Sequence, residues 1–232
     1  MFKNIFFLIF CLLKLSEALP ITNYALDFTD AMDFNQLINY ENSNYRTVIP
    51  RVSKSDGEVD KVGIASLAMV HANPSIFMKT AMYLTPKVGT TDGSAQISKL
   101  KAALTANKLP ETYVYIQVSR ATASWSSDTK ANVALINSLI TNAIKNNFQV
   151  GIYSSHADWV AITGNVKSLS GTVSLWYSNV FGPGVTGESK PNYDDFVAFG
   201  PFTKAMVTFK QFAMEENMFG VKVNRNVYGS GL

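Results

Sequence analysis

Apolar positions along the chain alternate between two periods. Short runs rich in β-branched and aromatic residues occur at Tyr24–Phe28, Thr47–Val52, Phe77–Leu84, Tyr113–Val118, Val150–Tyr153, Thr172–Tyr177, Ala205–Phe212 and Val221–Tyr228. Such runs predict eight strands. Between the first five lie segments of helical character at Met32–Glu41, Asp60–Ala72, Ser94–Asn107 and Asp128–Asn147. In the last of these Ile136, Leu139, Ile140, Ala143 and Ile144 form one stripe at three- and four-residue steps. Ser127 or Asp128 can cap its start by accepting backbone N–H bonds, and Asp92-Gly93-Ser94 precedes the third helix in the same way. His156–Gly164 predicts a fifth, shorter helix.

Strand and helix alternating through short connections imply parallel strands joined by right-handed crossovers. Past Tyr153 this regularity decays, and Gly182-Pro183-Gly184 and Gly187 fall between the later strands. That stretch lacks a Gly-Lys-Ser/Thr ending and a following helix, so it reads as a turn rather than a phosphate cradle. The expected fold is α/β: an irregular TIM-like barrel of eight strands and about five helices, closed by bare strands. No linker, repeat or composition break divides it.

Composition narrows the class. The chain has 232 residues, 47% of them hydrophobic and 16% charged, with a net charge of +3. This is enough apolar material for a core, which excludes disorder. No Lys/Arg cluster marks a nucleic-acid footprint. The first residues read differently: Met1-Phe2-Lys3-Asn4 is a short basic start, Ile5–Leu13 is apolar, and Ser16-Glu17-Ala18 offers small residues for cleavage. Residues 1–18 are expected to be a signal peptide, with residues 19–232 as one barrel domain and the product secreted. A membrane anchor fits less well, because Lys14 interrupts the run far short of a span, so no membrane association is expected after cleavage. Cys11 is the single cysteine and lies in that leader. The mature chain would hold no thiol and no disulfide.

In a barrel of parallel strands, chemistry sits at the carboxyl ends. Glycoside hydrolysis there needs two carboxylates, one to protonate the leaving oxygen and one to act as base or nucleophile. The fourth strand reads Tyr113-Val114-Tyr115-Ile116-Gln117-Val118-Ser119. It ends in an amide and a hydroxyl where such a pair could stand. Other constellations are weaker. Asp56-Gly57-Glu58-Val59-Asp60 is too short for a calcium loop and reads as a turn into a helix. His71 and His156 are the only histidines and lack metal-ligand spacing, so no metal or other cofactor is expected. No Gly-x-Ser-x-Gly occurs. Asp194-Asp195 and Glu215-Glu216 read as surface charge.

Several tags taken together resemble glycoside hydrolase family 25, the lysozymes with an irregular five-helix, eight-strand barrel, and especially its secreted invertebrate branch. Tyr24-Ala25-Leu26-Asp27-Phe28 is similar to the family's first strand, ending in an aspartate on the groove floor. Ile49-Pro50-Arg51-Val52 and Met82-Tyr83-Leu84-Thr85-Pro86 resemble the second and third. Val150-Gly151-Ile152-Tyr153 resembles the fifth, whose tyrosine faces the sugar. Leu175-Trp176-Tyr177 is similar to the sixth with its substrate-facing tryptophan, and Lys210-Gln211-Phe212 to the seventh.

The departures fall where that family does its chemistry. The family's Asp-x-Glu motif matches Gln117 and Ser119, and its late aspartate matches Asn224. Of four acidic positions only Asp27 is still a carboxylate. A positioned general acid contributes roughly 10²–10⁴-fold, so the resemblance implies a lysozyme-like protein without an intact catalytic set. Asp27, Tyr153 and Trp176, with Gln117 and Asn224, could still bind sugar rings. The expected role is recognition of peptidoglycan or a related glycan in antibacterial innate immunity. An interaction or regulatory protein using the barrel as scaffold, with partners on Phe181–Phe202, is the alternative. A weak hydrolase with relocated acids is a third. Oligomeric state is left open.

Overall fold

Asn23–Phe28 forms β1, whose last four residues are buried. In the computed structural model, which describes residues 23–229, β1 runs parallel to β2 (Tyr45–Ser53) on one side and antiparallel to the last strand on the other. The expected leader and Cys11 lie outside the described residues. From β2 the wall continues through β4 (Met82–Leu84), β5 (Tyr113–Val118), β6 (Gln149–Ser154) and β7 (Ser174–Ser178), all in parallel. Strand β8 (Val207–Met218) pairs in parallel with β7 and antiparallel with β9 (Val221–Tyr228), which returns to β1. Eight strands thus close a barrel. A ninth, β3 (Lys79–Thr80), pairs in parallel with Thr47 and Val48 of β2, on the edge where β4 pairs farther along.

Among the described residues five α-helices cover this wall: α1 (Phe34–Asn42), α2 (Lys61–Ala72), α3 (Ser94–Ala106), α4 (Thr129–Lys145) and α5 (His156–Thr163). Among the described residues, no helix is long and apolar enough to cross a membrane. Four of their starts are set by N-cap side chains that satisfy orphan N–H groups, whereas α3 starts at Gly93 without one. Asp33 and Gln36 make a reciprocal capping box on α1, Asp60 caps α2, Asp128 caps α4 and Ser155 caps α5. Asp60 therefore does what the turn reading of Asp56–Asp60 predicted. The β7–β8 connection holds only two single-turn 3₁₀ helices, in keeping with the bare closure expected from its glycines and prolines.

Two predicted strands differ. Phe77–Leu84 is broken, because Phe77 turns out to solvent and Ala81 interrupts the ladder between β3 and β4. Ala205–Phe212 starts two residues later and ends six residues later. Its extension carries Glu215-Glu216-Asn217, a polar stretch outside the predicted strand, through register shifts against β9.

Burial divides between two shells. Leu67, Ile97, Leu139, Ile140 and Trp159 pack the helices on the outer wall. The barrel interior is aromatic: Tyr83, Tyr115, Tyr153, Trp176, Phe209 and Tyr228 fill it. Trp176 contacts Tyr83 and Tyr115 edge-on, at 5.8 and 5.4 Å between ring centroids, the offset geometry that ring quadrupoles favour. Strand ends are consequently held on a filled plug rather than over a pore.

Candidate functional site

The carboxyl ends of the strands surround a groove of about 1010 Å³. Gln117 and Ser119 come from the end of β5, Tyr153 from β6, Gln211 from β8 and Asn224 from β9, with Tyr83 of β4 beside them. The barrel therefore brings together residues that lie more than a hundred positions apart in the chain.

Asp27 sits beneath this lining, 1% exposed. Three side-chain amides aim at its carboxylate: Asn224 Nδ2 at 2.7 Å, Asn226 Nδ2 at 2.8 Å and Gln211 Nε2 at 3.2 Å. Two of those orientations are fixed by groups that can only donate. The Trp176 indole N–H donates to Asn226 Oδ1 at 2.8 Å, and the backbone N–H of Glu215 donates to Asn224 Oδ1 at 2.9 Å. Each amide must then turn its NH₂ toward Asp27. Burial raises the Asp27 pKa above the ordinary carboxylate value, while the three amides pull it back down. The result is a carboxylate held as an acceptor, closed off from the groove.

The neutral positions are also committed. Gln117 is buried, and its Oε1 accepts from the Thr85 hydroxyl at 2.7 Å. Its amide and that of Gln211 interact with the Tyr153 hydroxyl and partly oppose the strong upward shift that burial and the Asp27 charge impose on that phenol. Tyr83 is raised by burial as well, and secondarily by Asp27. Neither phenol offers a proton at neutral pH. Ser119 stands half-buried on the lining, its hydroxyl accepting only a 3.3 Å bond from the Ala121 N–H.

Tyr153 lies flat against Trp176, ring centroids 4.0 Å apart and planes 13° from parallel. Trp176 itself is fully buried and absent from the groove lining. The expected substrate-facing tryptophan is thus corrected: Tyr83, Tyr115, Tyr153 and Phe209 enclose it, and it orients Asn226 and backs Tyr153. Asp27, Gln117 and Asn224 do converge. Asn226 and Gln211, which hold Asp27, are not among the site residues expected from sequence although both stand in quoted strand segments; Asn226 pairs with Ala25, two residues before Asp27, and Gln211 pairs with Asn226 one strand beyond.

The acidic doublets also need correction. Asp195 accepts from the Tyr177 hydroxyl, Asn179 and the fully buried Lys210, which outweigh desolvation and lower its pKa. Glu216 is buried and ion-paired with Arg225, which also holds Glu188. Both acids were expected to be solvated. Among the described residues, no cluster of three or more metal-ligating His, Cys, Asp or Glu occurs.

A family model described as Lysozyme-like protein 1 matches residues 19–212. The chain belongs to the lysozyme-like protein family. Lysozyme-like protein 2 of Caenorhabditis elegans is 35% identical over 226 residues, which cover 94% of this chain and 79% of that protein. Lysozyme-like protein 1 of the same nematode is 36% identical over 212 residues, covering 90% and 69%. The fold matches a family 25 lysozyme from Aspergillus fumigatus with a TM-score of 0.66 at 13% identity, over 91% of this chain and 95% of that one. At that identity the likeness is one of architecture. The lysozyme-like chain thus carries the barrel that its strand tags suggested.

Proposed function

We propose that this lysozyme-like chain is a secreted glycan-binding protein of antibacterial defence that does not hydrolyse peptidoglycan. The observation that carries this reading is the state of Asp27. Hydrolysis needs a carboxyl group that exchanges a proton with substrate and a second carboxylate across the bond. Asp27 is sealed under the lining and saturated by three amide donors. The matching positions on the lining are Gln117, Ser119 and Asn224, none of which titrates usefully. The other carboxylates of the groove, Asp158, Asp195 and Glu215, each face a cation of the chain itself. Amides and hydroxyls beside Tyr153 suit sugar hydroxyl groups.

Two measurements test this together: release of reducing ends from peptidoglycan, and retention on insoluble peptidoglycan and chitin. Retention without turnover is expected. Turnover comparable with an active family 25 lysozyme would overturn the loss of catalysis, and failure of both matrices to retain the protein would overturn glycan binding. Restoring Gln117→Asp, Ser119→Glu and Asn224→Asp together is expected to return measurable hydrolysis.

One observation favours a second reading. Phe181 and Val185, in the β7–β8 connection, are 79% and 72% exposed. Two large apolar side chains so placed suit a protein partner, with the barrel as scaffold. Double substitution to Ser that leaves glycan retention intact but abolishes a protein complex would support it.

A further inference from the structure

A second constellation lies at the amino ends of the strands, the whole length of β5 away from the groove. His71 stands in the last turn of α2, Thr80 ends β3, and Glu111 precedes β5. His71 and Glu111 are 40 residues apart in the chain, so no spacing motif announces them. The fold nevertheless brings three ligating atoms together. His71 Nε2 lies 2.5 Å from Glu111 Oε1, and Thr80 Oγ1 lies 3.1 Å from that oxygen and 3.5 Å from His71 Nε2. We infer that this triad is a binding site for one divalent transition-metal ion, zinc by its ligand set.

Two observations besides the convergence point to an ion. The Glu111 side chain keeps only 3% of its surface in solvent, and its Oε2 has no hydrogen-bond partner among the described residues. A buried carboxylate oxygen without a donor is costly, and a bound ion is one of the few things that offset it. Beside it Thr80, Glu111 and Tyr113 line a cavity of about 180 Å³, which has room for water ligands. The spacing also fits. A tetrahedral zinc ion with bonds of about 2.0–2.2 Å sets its ligand atoms about 3.3–3.6 Å apart. Two edges of the triad are already close to that. The third, between His71 and Glu111, has to open by about 1 Å, and the His71 side chain, 34% exposed, has solvent to withdraw into. Imidazole beside carboxylate favours zinc over calcium or magnesium, which take oxygen ligands. With a neutral hydroxyl as the third group, the site is an open one completed by water. The ion then ties α2, β3 and the approach to β5 to one another, so its binding stabilises the fold by mass action.

The test is calorimetric titration of the untagged mature chain, stripped with EDTA, with zinc chloride and with calcium chloride at neutral pH, paired with thermal melts. One equivalent of zinc is expected to bind and to raise the melting temperature, with no calcium isotherm. His71→Gln and Glu111→Gln each remove a ligand but keep a hydrogen-bonding side chain. Loss of even an outer-shell partner weakens metal affinity about 10–100-fold, so each variant is expected to lose both the isotherm and the thermal shift. Thr80→Asp exchanges the hydroxyl for a carboxylate and should tighten zinc binding, which keeps the site testable if a loss variant fails to fold. A parent chain with no zinc isotherm would reduce His71 and Glu111 to an ordinary ion pair and overturn the site. Calcium binding as tight as zinc, zinc binding that survives both losses, or no tightening in Thr80→Asp would overturn it as well.

Discussion

The Trp176 indole N–H donates to Asn226 Oδ1 at 2.8 Å, and that single bond decides which way the Asn226 amide faces. An indole N–H cannot accept, so the amide oxygen is drawn to β7 and the NH₂ is left for Asp27. Both partners are fully buried. Trp176→Phe keeps a ring against Tyr153 but strands the Asn226 oxygen in a dry interior. Loss of about 1–3 kcal/mol is expected, the range for one buried polar group left without a partner. Urea denaturation checks this; an unchanged midpoint would show that the amide finds another donor.

Asp27 makes stability depend on pH in a direction opposite to that of most native carboxylates. Its folded-state pKa is raised by burial above the unfolded value. Between those two values the native state binds more protons than the unfolded state, so stability falls as pH rises through the folded pKa. Each pKa unit is worth about 1.4 kcal/mol. Asp27→Asn removes that dependence, although its own NH₂ then confronts amide donors. Relative to the variant, the parent chain is expected to lose stability as pH rises from the acid range toward neutrality. A pH-independent difference between the two would contradict the raised pKa.

Most of the barrel was legible in the sequence because its elements repeat at their own periods. The stripe on α4 and the Asp128 cap ahead of it are local signals: the structure keeps the cap and buries Ile136, Leu139, Ile140 and Ala143, while Ile144, at the end of the stripe, is exposed. The far end of β8 was illegible for a physical reason. Glu216 is tolerated in a buried strand because Arg225, nine residues on, reaches it from β9. A polar triplet looks like a loop until that partner is known. In the site, Asp27, Gln117, Tyr153 and Asn224 could be found from strand tags. The facing of Trp176 could not, because it depends on what four other strands place around the ring.

Lys210 and Asp195 fasten the β7–β8 connection to the barrel. The ammonium, fully buried, also donates to the backbone oxygen of Lys190 at 2.6 Å. Asp195→Asn leaves that charge with one carbonyl in a low-dielectric wall. The expected loss is about 3 kcal/mol, the low end for breaking a buried pair, since the Asp195 side chain keeps 30% of its surface in solvent. Because the Asp195 pKa is lowered, its contribution is complete above the ordinary carboxylate value and disappears as pH falls through the folded one. Thermal melts of parent and variant should therefore converge below the ordinary carboxylate range. Persistent separation there would point to packing instead of charge.

Gly151 stands on β6, where a Cβ would collide with the ring of Tyr115 on the neighbouring strand. Its backbone needs no glycine for conformational reasons, because its φ is not positive. At an open strand position of this kind, alanine would be neutral or mildly stabilising. Here Tyr115 cannot retreat: it is buried against Trp176 and Phe209, and its hydroxyl is bonded to Thr208 at 2.8 Å. Gly151→Ala is expected to cost about 1–3 kcal/mol by overpacking. The clash is with ring carbons, so Tyr115→Phe should not relieve it. Tyr115→Leu should, and the Gly151→Ala/Tyr115→Leu pair should then be more stable than the sum of the single losses predicts. Strict additivity in chemical denaturation would mean that β6 shifts as a whole. Tyr153 would move with it, and glycan retention should fall in the Gly151→Ala variant.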